Sequence, residues 1–183
     1  MIKQLGFVLD PNKCLGCGAC VKACQIHHHL PEEGQWRKLS QRENSNQEGI
    51  QQFFLSTACN HCVNPECMRV CPKGAYSKRR DGIVAHFPER CTACKSCVAS
   101  CPFGAPSINP DTGKASKCQL CADRLDQSQA PFCTAACPTR ALRLVEIENT
   151  PLDGLVRLTA PLPSLRLTRP SVFYISPRRT QID

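Results

Sequence analysis

Alternating apolar and polar residues at 140–147 (RALRLVEI) predict a β-strand, and two turn sequences predict hairpins. Asp81-Gly82 separates the short strand candidates 75–78 and 83–87, and NPDTG at 109–113 separates 107–108 from 115–116. Residues 37–52 (RKLSQRENSNQEGIQQ) are polar without a period and are expected to form a connecting loop. From Asn149 onward, Pro151, Pro161, Pro163, Pro170 and Pro177 argue against helix and favour an extended strip. The half-apolar sequence there, LVRLTAPLPSLRLTRPSVFYI, suits docking on a partner better than disorder. No run of 18 apolar residues is present, and the opening MIKQLGFVLD lacks the apolar segment of a signal peptide.

Cysteine punctuates these short elements. Sixteen cysteines stand among 183 residues, in four tetrads with none left over. Cys14, Cys17, Cys20 and Cys24 are spaced C-x2-C-x2-C-x3-C, and Cys91, Cys94, Cys97 and Cys101 repeat that spacing. Cys59, Cys62, Cys67 and Cys71 widen the middle gap to four residues; Cys118, Cys121, Cys133 and Cys137 widen it to eleven. Proline follows the fourth cysteine of every tetrad except the first, where Gln25 stands. Such a density of cysteine usually marks a disulfide scaffold. Here, though, cysteines two residues apart recur in succession, which crowds rather than bridges them. A four-cysteine zinc site wants two cysteine pairs and has no use for a third cysteine at i+6. Cubane iron–sulfur ligation explains all three features: a loop curls three thiolates over one cluster, and the fourth cysteine, on a helix leading away, reaches a second cluster.

Pairing the tetrads under that rule gives four sites. The second and third tetrads, with the hairpin between them, form an inner unit at 53–106. There Cys59, Cys62, Cys67 and Cys101 share one cluster, and Cys71, Cys91, Cys94 and Cys97 share another. The first and fourth tetrads form an outer unit from residues 1–36 and 107–148. Cys14, Cys17, Cys20 and Cys137 share a cluster there, as do Cys24, Cys118, Cys121 and Cys133. The expected fold is α+β: two ferredoxin-like two-cluster units, one nested inside the other, a connecting loop at 37–52, and an extended partner-binding tail at 149–183. No cysteine lies beyond Cys137, so losing the tail should leave the clusters assembled. Aromatics are 5% of residues, so inorganic clusters replace much of an ordinary core, and the metal-free chain is expected to be largely unfolded.

The formal charge of +8 suggests a nucleic-acid partner until the clusters are counted. An oxidised cubane with four thiolates carries about −2, so four contribute roughly −8 and bring the loaded protein near neutrality. Lys22, Lys73, Lys95 and Lys117 sit in or beside the cysteine motifs, where positive charge raises reduction potentials. Arg79, Arg80, Arg178 and Arg179 read as solvated surface. His61, between Cys59 and Cys62, is placed either to hydrogen-bond a cluster sulfur or to face solvent, and His27, His28 and His29 read as surface residues. Trp36 reads as packing. No nucleotide-binding glycine loop or nucleophile–base pair is present, so no catalytic residue is assigned.

With its tetrads placed, the chain resembles the iron–sulfur (beta) electron-transfer subunits of dimethyl sulfoxide reductase-type molybdoenzymes. The likeness runs from GFVLDPNKCLGCGACVKAC through STACNHCVNPECMRVCPKGAYSKRRDGIV and CTACKSCVASCPFGAP to KCQLCADRL, CPTRAL and APLPSLRLTRPSV, nearly the whole chain. The resemblance implies a heterotrimer in which this subunit links a molybdopterin catalytic subunit to a membrane anchor reacting with menaquinol. The Cys14 cluster would face the former and the Cys94 cluster the latter. Nitrate reductase-type members carry Trp where Cys94 stands and hold a three-iron cluster there; cysteine at this position implies four 4Fe–4S clusters. The implied location is peripheral, on the periplasmic face of the bacterial cytoplasmic membrane after co-export with a partner, or alternatively on the cytoplasmic face. A free polyferredoxin is the competing reading, and no nucleic-acid partner is expected.

Overall fold

The computed structural model describes residues 3–46, 49–151, 155–156 and 165–177. Its elements are short because the cysteine loops interrupt them. In chain order they are β1 (Leu5–Leu9), α1 (Ala19–His27), β2 (Lys38–Asn46), β3 (Gly49–Thr57) and α2 (Glu66–Arg69). There follow β4 (Tyr76–Lys78), β5 (Val84–His86), α3 (Ser96–Ser100), β6 (Ser107–Ile108), β7 (Ala115–Ser116), α4 (Ala122–Asp126) and α5 (Phe132–Ala135). The sequence closes with β8 (Leu142–Glu146), β9 (Leu155–Val156), α6 (Leu165–Thr168) and β10 (Val172–Ile175).

β1 is buried at every position and lies inside a four-stranded sheet ordered β8-β1-β10-β9. β8 runs antiparallel to it, from Leu5 opposite Glu146 to Leu9 opposite Leu142. β10 runs parallel to it, with Phe7 opposite Val172. The hairpins β4/β5 and β6/β7 lie where their turn sequences put them. α1 packs against α5, with the His27 ring stacked on Phe132 at 3.7 Å, and α2 packs against α3. Two small cores result. One gathers Leu5, Phe7, Leu9, Leu120, Leu142 and Tyr174 around the sheet; the other gathers Tyr76, Val84 and Ala115 with Cys67 and Cys97. Thiol-bearing side chains are thus part of the core itself.

Two expectations are corrected. Residues 37–52 do not form a loop: most of them belong to β2 and β3, which pair in register from Lys38 opposite Thr57 to Asn46 opposite Gly49. The outer part of the ribbon needs no apolar alternation, since Gln41, Arg42, Glu43 and Gln52 are exposed on it. Side-chain amides supply its cross-strand ties: Gln41 donates to Gln52 at 2.8 Å and Gln52 to Glu43 at 3.0 Å. Nor is the tail wholly an extended strip left for a partner. Val172, Phe173 and Tyr174 are buried within the sheet, and α6 is a helical turn despite the flanking prolines. The apolar residues of β10 therefore find their cover inside this chain. The leucine- and proline-bearing stretch at 157–164 lies outside the described residues.

The tail approaches β1 closely at one point. Phe7 N–H donates to Ser171 O at 3.0 Å, and a Cβ built on Gly6 would overlap that same carbonyl oxygen. Gly6→Ala should therefore push β10 outward and lower the unfolding free energy by about 2 kcal/mol. Thermal bleaching of the cluster chromophore checks this, and an unchanged midpoint would mean that the contact at Ser171 is not structural.

Candidate metal centres

All sixteen cysteines are free thiols. Cys59, Cys62, Cys67 and Cys101 line one small cavity, together with Pro102, Lys117 and Thr168. Cys14, Cys17, Cys20 and Cys137 line a second, together with Leu39, Ser56 and Pro138. Mutual electrostatics bring together Cys24, Cys118, Cys121 and Cys133, and Cys91 with Cys97. The Cys24 thiol is pushed up to about 12, first by burial and then by Cys133 and Cys121 nearby. Cys97 is raised by burial and by Cys91, while Tyr76 stands beside Cys97, Cys67 and Cys71. The units also meet: burial raises the Cys118 thiol most, and Cys59 of another tetrad adds to the effect. Among the described residues, no three His, Cys, Asp or Glu side chains converge on a point where a single ion would sit, as a four-cysteine zinc site requires.

Backbone conformation repeats through the four loops. The residue two after the first cysteine is left-handed in each: Gly16 (φ 70°), His61 (42°), Ala93 (58°) and Leu120 (57°). Three of these carry a side chain in a region costing about 1–2 kcal/mol, so their turn is held by its surroundings. The turn aims amides inward: Leu120 N–H donates to Cys118 Sγ at 3.4 Å, and Gly16 N–H bonds the Cys14 sulfur. In the first loop, glycine is also needed for room. A Cβ on Gly16 would lie 2.6 Å from the Phe54 ring, which β3 lays over the loop.

A second repeat follows each Cys-Pro. Gly74 (φ 57°), Gly104 (57°) and Arg140 (53°) are left-handed three residues after the fourth cysteine. Each precedes an alanine whose N–H reaches that cysteine's sulfur: Ala75 to Cys71 at 3.3 Å, Ala105 to Cys101 at 3.5 Å, and Ala141 to Cys137. The sequence carries the repeat as PKGA, PFGA and PTRA. Burial opposes the Cys137 thiolate, but the amides of Leu142 and Ala141 with the Thr139 hydroxyl outweigh it and lower its pKa. Cys24, without proline, lacks this turn and sits buried within α1.

Charge and polar groups suit anions at these sulfurs. The hydroxyls of Tyr76 and Thr168, Nε2 of His61 and His86, and Nη2 of Arg37 are buried without a hydrogen bond of good geometry. Thr168 lines the first cavity and favours the Cys62 thiolate against burial, which otherwise pushes that thiol up to about 12; Tyr76 does the same for Cys97. Cys67 is likewise pushed up to about 12 by burial, with Lys117 working against it. The Tyr76 and Thr168 hydroxyls and the Arg37 guanidinium, turned toward thiols, fit an electron-rich inorganic cluster.

Several residues differ from their sequence-based placing. His61 neither faces solvent nor bonds a cysteine sulfur. It is buried, accepts the Val84 N–H at Nδ1 (3.1 Å), and is held neutral by burial with Lys117, Lys78 and Arg37 around it. His27 and His29 are exposed, but His28 is half-buried with Nε2 3.3 Å from Cys121 Sγ. Lys22, Lys73 and Lys95 are exposed, whereas Lys117 is buried. Trp36 packs against His28 and donates from Nε1 to Ser116 Oγ at 2.6 Å. Arg79 pairs with Asp81 and Asp126; Arg178 and Arg179 lie outside the described residues. Nothing in the sequence singles out Arg37, Tyr76 or Thr168, because only their position in space connects them to the thiols.

These loops define a ferredoxin-type iron–sulfur protein. The profile of the 4Fe–4S dicluster domain matches residues 50–147, and that of a 4Fe–4S binding domain matches residues 7–27. The B subunit of anaerobic dimethyl sulfoxide reductase from Escherichia coli (strain K12) is 34% identical over 181 residues, covering 94% of this chain and 88% of the relative. Its counterpart in Haemophilus influenzae is 34% identical, covering 93% and 88%. The thiosulfate reductase electron transfer subunit PhsB of Salmonella typhi is 39% identical over 163 residues, covering 85% and 83%. The protein belongs to the family of iron–sulfur electron-transfer subunits of dimethyl sulfoxide reductase-type molybdoenzymes.

Gly104 and Gly113 offer a matched pair of substitutions. Both are left-handed and both have open space where a Cβ would project, but only Gly104 precedes an amide aimed at a cysteine. Valine at either should cost about 1–2 kcal/mol of stability. Only Gly104→Val should also shift a midpoint potential in a redox titration; equal behaviour of the two would remove the role given to the Ala105 amide.

Proposed function

We propose that this chain relays electrons through four 4Fe–4S clusters between a membrane subunit reacting with menaquinol and a molybdopterin subunit carrying the substrate site. The ligand sets are Cys14/Cys17/Cys20/Cys137, Cys24/Cys118/Cys121/Cys133, Cys59/Cys62/Cys67/Cys101 and Cys71/Cys91/Cys94/Cys97. The outer unit, 1–36 with 107–148, nests around the inner unit, 53–106. The packing of α1 on α5 and of α2 on α3 supports that division. When bound, each cluster supplies a one-electron carrier. The protein's part is to present thiolates, aim amides at them and exclude water; substrate chemistry belongs to the partner.

One observation carries this reading. Cys17 and Cys94 are the exposed cysteines, and the other fourteen are buried or half-buried. They are the middle ligands of the first and last sets. A relay needs approachable ends and a covered interior, because electron tunnelling falls steeply with distance. Leu15, 67% exposed two residues before Cys17, suits a docked partner better than it suits a free polyferredoxin. Among the described residues no helix is long and apolar enough to cross a membrane, consistent with a peripheral place beside an anchor. We place the complex on the periplasmic face, after co-export with a partner, with the cytoplasmic face as the alternative.

Iron and acid-labile sulfide assays on anaerobically purified protein test the cofactor content. Both should approach about sixteen per chain; stoichiometric zinc without sulfide would refute the reading.

Cys94 tests the ligand map. Its thiol pKa is lowered chiefly by the Ser96 side chain, which favours the thiolate. Cys94→Ser should leave Cys71, Cys91 and Cys97 holding a three-iron cluster, seen as a new EPR signal in oxidised protein. Quinol-coupled turnover should collapse, while an artificial donor that reduces the catalytic subunit directly should still work. An unaltered spectrum with normal quinol activity would mean that Cys94 is not a ligand.

A further inference from the structure

Two cations lie in the interior without a carboxylate. Arg37 is 2% exposed and Lys117 1% exposed, and the ion pairs among the described residues all join other side chains. An unpaired charge in the interior is strongly unfavourable, so each implies a negative charge close by.

Arg37 enters from the residue before β2. Its Nη1 donates to Ser56 Oγ at 3.1 Å, and that hydroxyl stands 3.4 Å from Cys20 Sγ. Its guanidinium lies 4.7 Å from the centre of the Phe7 ring, and Nη2 has no partner. The thiols it faces are Cys20 of the first ligand set and Cys24, Cys118 and Cys133 of the second. Lys117 precedes Cys118 of the second set and lines the cavity of the third. Its Nζ donates to Cys118 O at 3.0 Å and to Val84 O. One cation therefore stands between the first and second sets, the other between the second and third.

Resting on the four-cluster reading, we propose that Arg37 and Lys117 are fixed counter-ions between successive clusters and set the potentials of the inner part of the relay. Reduction adds one negative charge to a cluster. A cation held in low dielectric on that cluster's flank stabilises the added charge, and it does so for both neighbours at once. Arginine stays charged throughout the accessible pH range. The exposed Lys22, Lys73 and Lys95 are screened by solvent and contribute far less.

The test is an EPR-monitored redox titration of the full-length holoprotein, isolated anaerobically with whatever subunits accompany it. Arg37→Gln should lower two of the four midpoint potentials by about 59 mV, a tenfold change in a one-electron equilibrium. Lys117→Gln should lower two by a similar amount. One potential should respond to both substitutions and one to neither, a pattern that needs no prior assignment of signals. Arg37→Lys should keep most of the wild-type values. Iron-replete variants with unmoved potentials, or with all four displaced together, would overturn the proposal. If Arg37→Gln loses iron, Arg37→Lys decides: retention supports a counter-charge, and loss in both shows that the side chain's shape is what matters and overturns it. Wild-type iron and sulfide well below sixteen would instead defeat the four-cluster reading itself.

Discussion

Burying a thiolate in protein is unfavourable, and this fold buries or half-buries fourteen cysteines. Much of the remaining architecture follows from that constraint. Burial first, and neighbouring thiols after it, drive Cys24, Cys62 and Cys67 toward the neutral thiol. Amides, hydroxyls and interior cations are arranged around the sulfurs in opposition to it. An ordinary core of this size would leave a buried arginine or an unpartnered tyrosine hydroxyl as a defect. Around rings of sulfur the same groups become complementary, and local unfavourable features cancel once the electron-rich cofactor is counted.

The backbone meets the constraint by two repeated turns, one in all four loops and one after the three Cys-Pro pairs. The left-handed residue two after the first cysteine turns its N–H toward sulfur at Gly16 and Leu120, and the one after each Cys-Pro turns the following alanine N–H toward sulfur. Glycine takes the position in some copies, but His61, Ala93, Leu120 and Arg140 take it in others. Side-chain identity is thus secondary to amide direction. His61 shows how such strain is held: its carbonyl accepts Ser171 Oγ and Gln4 Nε2, and its ring accepts the Val84 N–H, so three separate segments fix one loop residue.

What was legible in the sequence was local. Cysteine spacing identified the chemistry, and the Asp81-Gly82 and NPDTG turns located two hairpins, because those signals lie within a few residues of one another. The β2/β3 ribbon was illegible because exposed strands need no apolar period, as Gln41, Glu43 and Gln52 show. The place of β10 was illegible for another reason. VFYI is apolar enough to be covered by something, and only the parallel pairing with β1 shows that the cover is the chain's own opening strand. Arg37 fell in a segment read as polar loop; its meaning lies in which thiols surround it, and no spacing rule encodes that.

The sheet that joins β1 to β10 also has a consequence in time. During synthesis β1 emerges first, and its parallel neighbour comes from the last described segment, after every cysteine has left the ribosome. Until then one edge of β1 lacks its partner, and Ser171 and Thr168 are not yet in place over the Asn60–His61–Cys62 loop. The Cys59, Cys62, Cys67 and Cys101 thiols around the first cavity are therefore less covered until β10 and the residues before it close over that loop. A loop whose cover is the latest of the described strands stays open until that strand arrives.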